Sequence, residues 1–311
     1  MIPHVAPPVY PDAVRQGRFA ATIVRNAAEL NKMAPEFALV RKCRIALLGI
    51  PDDTGIELNH GRPGAVQGPA AFRQALVRYG AASPADHALD DPRPAYPRVF
   101  DAGDVVPART LAETHDRITA AATGLLELGL FPIAIGGGHD CTFAFVRALA
   151  RAFGPMTGVY LDAHLDVRPE PGSGMSFHAL TKGGFARRLI CVGLDPLANT
   201  REHMDYFHAA GGQSLTPAQF DPAGWPADPH QFVSLDLDVL DMAYAPGVSA
   251  MNPCGLTPAQ VGAYIEAAGR CPGVRGFDIM ELSPPHDENG RTARLAAHMF
   301  LRFLRGFAER P

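Results

Sequence analysis

The sequence has few cysteines, and their placement suits neither a disulfide framework nor a structural zinc site. They are odd in number, widely spaced and never arranged as Cys-x-x-Cys. We therefore expect reduced thiols in a cytoplasmic protein. The five are Cys43, Cys141, Cys191, Cys254 and Cys271.

Long apolar runs and a strong excess of one charge are also missing. No stretch approaches the roughly 20 apolar residues of a membrane span, and the first residues lack the basic and apolar regions of a secretory signal. The net charge is only −4 in 311 residues, and the basic residues are dispersed. Nothing therefore indicates a nucleic acid or a membrane as a partner, and we expect a small polar substrate.

Short apolar segments typical of buried strands recur along the chain and alternate with segments of helical periodicity. This pattern predicts an α/β fold with a central, mostly parallel sheet covered by helices on both faces. We expect one domain over residues 1–311, with residues 1–40 as a proline-rich N-terminal arm that a partner subunit could order. The predicted strands are 44–50, 98–105, 131–137, 158–163, 188–194, 231–240 and 274–282, and the predicted helices are 65–79, 110–129, 141–152, 257–270 and 291–307.

Acids and histidines follow four of the predicted strands. "GGGHD" follows "FPIAI", "DAHLD" follows "GVYL", "DLD" follows "FVSL", and "ELS" follows "GFDIM". Ligands of parallel sheets bind beyond the carboxyl ends of the strands. We therefore expect these four polar clusters to meet at one edge of the sheet.

The residues in these clusters predict a metal centre with two ions. Four carboxylates and two imidazoles exceed the donors that one tetrahedral ion uses, and an oxygen-rich set with imidazole suits Mn²⁺ better than zinc. Burying four uncompensated carboxylates would be costly, and divalent cations remove that cost. Taken singly, His139 could be a turn or core histidine and "DLD" a helix cap, but their joint occurrence favours metal binding. The predicted ligands are His139, Asp162, His164, Asp166, Asp236 and Asp238.

These motifs resemble the successive signatures of the ureohydrolase family, which includes arginase, agmatinase and formimidoylglutamase. They are "GGGHD", "DAHLD", "SLDLDVLDMAYAPGVS" and "GFDIMELSPPHD", and the likeness extends from about Gly49 to Leu301. The resemblance implies a three-layer α/β/α arginase-like fold, two Mn²⁺ ions and a homo-oligomer, either a trimer or a hexamer. It also implies that Asp166 holds the bridging water and relays its proton, and that Glu281 pairs with the substrate's amidinium or guanidinium group.

Within that family the chain is most similar to the formimidoylglutamases. Ser173 stands where arginases and agmatinases usually carry a histidine, and the Gly-Gly-Gly-His and "NHGRPGAVQGP" segments also follow the formimidoylglutamase pattern. The substrate of those enzymes has two carboxylates. Arg168 and Arg62 are the predicted contacts for these carboxylates, and Ser173 is the third predicted substrate-binding residue. The alternatives are a salt bridge from Arg168 to Glu170, and a purely structural role for Arg62 in its glycine-rich loop.

The predicted function is hydrolysis of N-formimidoyl-L-glutamate to L-glutamate and formamide, a step of histidine degradation. Asp140, Met175 and His178 depart from the formimidoylglutamase pattern. These departures leave open an agmatinase-like or guanidino-acid hydrolase that releases urea. A zinc amide hydrolase of the deacetylase type, with one catalytic metal, and a non-catalytic binding protein are the remaining alternatives.

Overall fold

The computed structural model describes residues 2–11, 15, 18–26, 39–80, 96–219, 221 and 225–310. One sheet runs through this part of the chain, in the strand order β1-β4-β3-β5-β10-β9-β6-β7-β8, and β2 also pairs with β4. The pairing of β1 with β4 is antiparallel, and the other described pairings are parallel. The strands are β1 (Val5–Ala6), β2 (Val24–Arg25), β3 (Ile45–Gly49), β4 (Val99–Val105), β5 (Phe131–Ile135), β6 (Met156–Leu161), β7 (Ala186–Val192), β8 (Gln213–Leu215), β9 (Gln231–Asp236) and β10 (Val274–Met280).

Helices cover both faces of the sheet, which confirms the predicted three-layer α/β/α arrangement. Helices α2, α7 and α8 lie on one face, and α3, α4, α5 and α6 lie on the other. The helices are α1 (Thr54–Leu58), α2 (Gly68–Leu76), α3 (Leu111–Glu127), α4 (Cys141–Phe153), α5 (Ser176–Lys182), α6 (Arg201–Ala209), α7 (Pro258–Arg270) and α8 (Arg291–Ala308).

Strand β3 shows why two helical layers are needed. Its side chains alternate between the faces, so that Ile45 and Leu47 join one core while Ala46 and Leu48 join the other. All four are buried. Full burial of a large aliphatic side chain contributes about 1.5–3 kcal/mol, so a strand that is apolar on both faces is stable only between two layers.

Local capping signals fix the ends of the long helices. Thr257 and Gln260 form a reciprocal capping box at the start of α7, and Pro258 occupies its first turn. Thr110 accepts a hydrogen bond from the backbone N–H of Glu113 at the start of α3. All seven predicted strands and all five predicted helices occur at their predicted places. Strands β1, β2 and β8 and helices α1, α5 and α6 are short and were not predicted.

The described part of the N-terminal arm is held by its own chain. Strand β1 pairs with the far end of β4, and the Tyr10 hydroxyl donates to Asp101 at 2.6 Å. Asp101 in turn accepts from the buried guanidinium of Arg73 at 2.8 Å. At these positions the arm contacts its own chain, whereas its residues 1, 12–14, 16–17 and 27–38 lie outside the described residues. In the described chain, no helix is both long enough and apolar enough to cross a membrane.

Candidate metal centre and its cavity

The four strands that precede the polar clusters are consecutive in the sheet, in the order β5-β10-β9-β6. Their carboxyl ends therefore lie side by side. They bring "GGGHD", "ELS", "DLD" and "DAHLD" to one edge, as the sequence predicted.

The turn between β5 and α4 positions His139. Gly136 and Gly137 adopt φ values of 92° and 81°, which side chains other than glycine rarely adopt. A Cβ atom on Gly137 would also lie 2.8 Å from the carbonyl oxygen of Ile50. This tight turn brings the His139 ring inward, where the residue is only 1% exposed.

Four residues form what we call the deep cluster: His139, Asp162, Asp166 and Asp236. Nδ1 of His139 lies 3.1 Å from an oxygen of Asp162, 2.9 Å from one of Asp166 and 3.1 Å from one of Asp236. Asp166 has the most exposed side chain of the four carboxylate residues at the centre, at 13%. It is therefore the carboxylate best placed to meet a molecule in the cavity.

Three residues form the shallow cluster: Asp162, His164 and Asp238. Nδ1 of His164 lies 3.0 Å from Asp238 and 3.5 Å from Asp162, and its side chain is 31% exposed. Asp162 belongs to both clusters and faces each with a different oxygen, Oδ2 towards His139 and Oδ1 towards His164. This is the arrangement of a carboxylate that bridges two ions.

The segment from Asp162 to Asp166 is not extended along its whole length. Strand β6 ends at Leu161, and Asp166 has a φ of 47°. His164 therefore faces the shallow cluster while Asp162 and Asp166 face the deep one. The "DLD" segment divides in the same way, because Asp236 Oδ1 caps a 3₁₀ turn at the N–H of Asp238, 2.8 Å away, while Oδ2 faces His139.

The donor atoms fit divalent cations. Ligands bound at about 2.1 Å and at right angles around an octahedral ion lie about 3.0 Å apart, which matches the 2.9–3.1 Å separations in the deep cluster. Nδ1 of His139 and Oδ2 of Asp162 are buried and have no hydrogen-bond partner among the described residues. Six nitrogen and oxygen donors without a thiolate are a set that Mn²⁺ accepts.

Burial and mutual repulsion dominate the electrostatics of the centre. Burial, with the charges of Asp166 and Asp238, raises the pKa of Asp162 to about 6. Burial would lower the pKa of His139, but its contacts with three carboxylates raise it well above the ordinary value. The pKa of Asp238 is lowered, since the charge of His164 outweighs the effect of burial. A bound cation would relieve the repulsion among these carboxylates.

Glu281 lies beside the deep cluster at the end of β10. Its Oε1 accepts a hydrogen bond from the backbone N–H of His139 at 2.9 Å, while its own N–H donates to the carbonyl of Gly137 at 3.0 Å. Burial raises the pKa of Glu281 to about 8. Its φ of 66° is unusual for a residue other than glycine, and its side chain lines the cavity.

A cavity of about 130 Å³ opens above both clusters. The predicted residues Arg168 and Ser173 line it, and Asn59 connects them. The Asn59 carboxamide donates to the Ser173 hydroxyl at 3.1 Å and accepts from the Arg168 guanidinium. Arg168 is exposed, so a guanidinium lies at the entrance with Asn59, not Glu170, as its hydrogen-bond partner.

Two other residues singled out in the sequence, Arg62 and His178, are not part of the cavity wall that the described residues form. Arg62 donates to the backbone carbonyls of Val248 and Ser249 at 2.7 and 3.1 Å and is not among the residues that line the cavity in the described chain. These contacts favour the structural alternative, so the predicted contact of Arg62 with a substrate carboxylate lacks support. His178 packs against the Tyr206 ring at 4.9 Å and likewise does not line this cavity.

Sequence reasoning missed several residues of the cavity wall. These residues lie in loops and in α6. The rule that ligands bind beyond the carboxyl ends of parallel strands therefore does not predict them. "ANTREH", which spans the end of the loop before α6 and the first turn of α6, is the sequence signal that could have found two of them. The missed lining residues include Asn59, Asn199, His203 and Ser249.

Comparison with known proteins gives this arrangement a family. The model of the arginase family matches residues 43–305. The chain belongs to the arginase family. It is therefore a metal-dependent hydrolase of carbon–nitrogen bonds, and its fold is the arginase fold.

Several arginase-family proteins are similar over most of the chain. Formimidoylglutamase of Aromatoleum aromaticum is 34% identical over 296 residues, which cover 86% of this chain and 84% of that protein. Human mitochondrial guanidino acid hydrolase is 31% identical over 279 residues, with coverages of 83% and 77%. The crystal structure of Trypanosoma cruzi formiminoglutamase with Mn²⁺ has a TM-score of 0.79 and 32% identity, and covers 86% of this chain and 95% of that one.

Proposed function

We propose that this protein hydrolyses N-formimidoyl-L-glutamate to L-glutamate and formamide, as a step of histidine degradation, with two Mn²⁺ ions. The observation that carries this proposal is one cavity lined by both clusters, Glu281, Ser173 and the guanidinium of Arg168. The similarity to the formimidoylglutamases supports the choice of substrate.

The proposed ligands divide between the clusters. His139, Asp166 and Asp236 would hold one ion, His164 and Asp238 the other, and Asp162 would bridge them. Two such ions supply a hydroxide nucleophile at neutral pH.

The residues of the chain would do the rest. Glu281, buried behind the cavity, would pair with the cationic formimidoyl group, and this positive charge would lower the raised pKa of its carboxyl group. Asp166 would carry a proton from the attacking water to the departing amine nitrogen. Arg168 would bind a substrate carboxylate at the entrance and hold the reacting carbon above the clusters.

The second candidate is a hydrolase of guanidino acids that releases urea. It is favoured by the similarity to the human guanidino acid hydrolase. It also fits the site, because a guanidinium pairs with Glu281 as an amidinium does. Ser173 speaks against it, because the guanidine-cleaving members usually have a histidine there.

The remaining alternatives have less support. A zinc enzyme of the deacetylase type would use one catalytic metal, whereas the donors form two clusters that share Asp162. A non-catalytic protein would not need a buried carboxylate beside those clusters, with one oxygen, Oε2 of Glu281, that has no hydrogen-bond partner among the described residues.

We also propose a cytoplasmic homo-oligomer, a trimer or a hexamer, whose residues 1–311 form one domain with residues 1–40 as its arm. All five cysteines lie in the described residues and carry free thiols, which supports a reducing compartment. Sedimentation of the purified protein would test the subunit number.

A substrate panel tests the proposed activity. Mn²⁺-loaded protein would be given N-formimidoyl-L-glutamate, agmatine, arginine and a guanidino acid in parallel, with formamide and urea measured in each reaction. We expect formamide from the first substrate and little urea from the others. If a guanidino acid gave urea and formimidoylglutamate gave no formamide, the result would contradict the first proposal and support the second candidate.

A further inference from the structure

Three buried side chains form a hydrogen-bonded row on the side of His139 that faces away from the cavity. Nε2 of His139 lies 2.9 Å from Oγ of Ser234, and this oxygen lies 2.5 Å from Oδ1 of Asp278. His139 is 1% exposed, and Ser234 and Asp278 are both fully buried. Neither Ser234 nor Asp278 touches the cavity or belongs to either cluster.

The sheet holds this row in place. Ser234 on β9 and Asp278 on β10 are direct partners in the parallel ladder, so their backbones are fixed relative to each other. Ser234 also lies two residues before Asp236, on the same face of β9. The row therefore leads from the deep cluster into the protein interior.

The donors and acceptors determine in which direction the hydrogen bonds of the row are donated. A carboxylate can only accept, and a serine hydroxyl has a single hydrogen to donate. The shortest contact of Ser234 is with Asp278, so the hydroxyl donates there and offers a lone pair to His139. Nε2 of His139 must then carry a hydrogen, so a cation in the deep cluster would meet the lone pair of Nδ1 beside the three carboxylates.

One neighbour competes only weakly for the hydroxyl. Oγ1 of Thr142 lies 3.3 Å from Oγ of Ser234, much farther than Asp278 does. Burial raises the pKa of Asp278 to about 7, and the positive charge of His139 opposes this rise. Positive charge at the deep cluster thus favours the carboxylate form of Asp278, which sets the direction of the row.

We propose that Ser234 and Asp278 are positioning residues that fix the tautomer of His139 and so prepare Nδ1 to bind the cation of the deep cluster. This inference rests on the metal centre of the proposed function. It predicts that the row controls metal affinity at one cluster and not at the other, because His164 of the shallow cluster has no part in it.

Two variants interrupt the row in different ways. Asp278→Asn keeps the shape but can donate from its amide to Ser234, which lets the hydroxyl donate to Nε2 and moves the histidine hydrogen to Nδ1. Ser234→Ala removes the middle of the row. Thr157→Val is the matched control, since Thr157 is equally buried and its hydroxyl donates to Asp228, outside the row.

The test is a Mn²⁺ titration of metal-stripped protein at pH 8, followed by calorimetry and by electron paramagnetic resonance of free Mn²⁺. We expect the wild type and Thr157→Val to bind two ions per chain. In Asp278→Asn and Ser234→Ala, one dissociation constant should rise about 10- to 100-fold, the usual effect of losing a hydrogen-bond partner behind a metal-binding histidine. The other dissociation constant should stay within about threefold of its wild-type value. The melting temperature of metal-free Asp278→Asn should not fall, because a buried acid has been removed.

The possible failures are distinguishable. Unchanged dissociation constants in both variants, or an equal loss of affinity in Thr157→Val, would overturn the inference and leave the proposed function standing. Equal weakening at both sites together with a lower melting temperature of the metal-free protein would give the row a structural role and also overturn it. A wild type that binds no Mn²⁺ would overturn the proposed function and this inference with it.

Discussion

The deep and shallow clusters share Asp162 and differ in their surroundings. His139 of the deep cluster is 1% exposed and contacts Ser234 behind it, whereas the side chain of His164 in the shallow cluster is 31% exposed. This difference in the exposure of the two histidines suggests that the clusters have different roles within one metal centre. Both clusters border the cavity, but the histidine of the deep cluster is enclosed by the protein, whereas the histidine of the shallow cluster is partly open to the cavity.

Replacing Asp162, the carboxylate that both clusters share, should have the largest effect and should remove the difference between the clusters. Asp162→Asn removes a negative charge from both clusters, so we expect both Mn²⁺ ions to be lost. The value of kcat/KM should fall at least about 10³-fold, the upper range for loss of one group that stabilises a transition state. Metal analysis and steady-state kinetics would measure this, with the surface variant Asp116→Asn as control. Retention of one ion would show that the clusters do not depend on a common bridge.

Asp238→Asn should make the difference between the clusters larger, because only the shallow cluster should lose its ion. Asp238 contacts His164 at 3.0 Å and is not part of the deep cluster. We expect one Mn²⁺ per chain and a fall in kcat/KM of about 10²- to 10³-fold. Loss of both ions in metal analysis would contradict the separation of the clusters.

Glu281→Gln tests a residue that contacts the deep cluster without belonging to it. The amide keeps the shape and can still accept from the His139 backbone, so the metal content should not change. Loss of the charge should lower kcat/KM about 10- to 100-fold, as expected for a charge-assisted hydrogen bond. Metal analysis would be compared with kinetics on formimidoylglutamate, and full activity would refute the predicted role of Glu281.

Arg168→Ala should act at the cavity entrance and leave both clusters intact. We expect KM to rise about tenfold with kcat nearly unchanged, because the contact is made equally in the ground state and the transition state. Arg188→Ala, a surface change on β7, is the control. Unchanged values of both constants would remove Arg168 from the substrate site.

The smallest expected effect is a pH dependence of stability in the metal-free protein. The folded-state pKa of Glu281 is about 8 against an ordinary value of 4.5, and that of Asp162 is about 6 against 3.8. Raised values mean that the folded protein binds more protons than the unfolded one, so stability falls as pH rises from about 4 to 8. The raised pKa of His139 acts in the same direction above its ordinary value of 6.5.

Thermal melts of the metal-free protein between pH 5 and pH 8.5 would measure this effect. We expect the melting temperature to fall by several degrees, at about 2–4 °C per kcal/mol for a chain of this size class. Excess Mn²⁺ should flatten the curve, since the ions replace the protons. A melting temperature that rises with pH in metal-free protein would contradict the pKa directions.

The sequence predicted the elements whose burial pattern is long enough to read. Strands such as β3 are continuous apolar runs, and α8 repeats its apolar face over 18 residues. Strand β1 has only two residues and forms because it pairs with β4. No local sequence pattern predicts that contact.

The site shows the same limit at the level of side chains. The six predicted donors meet because their strands end together, which follows from the parallel sheet. Their division into two clusters depends on backbone details, such as the φ of 47° at Asp166, that have no signature in the sequence. Asn59 and Ser234 were missed because ordinary polar residues reveal a role only through their partners in space.

The order of strands at the centre of the sheet also bears on how the protein is made. Strand β10, at residues 274–280, lies between β5 and β9, and the Glu281 carboxylate holds the backbone of His139 across 142 positions of sequence. During synthesis the early strands cannot reach their final spacing until β10 has left the ribosome and inserted between them. Uptake of metal would then mark the completion of folding, and a chain truncated before β10 would emerge unable to acquire it.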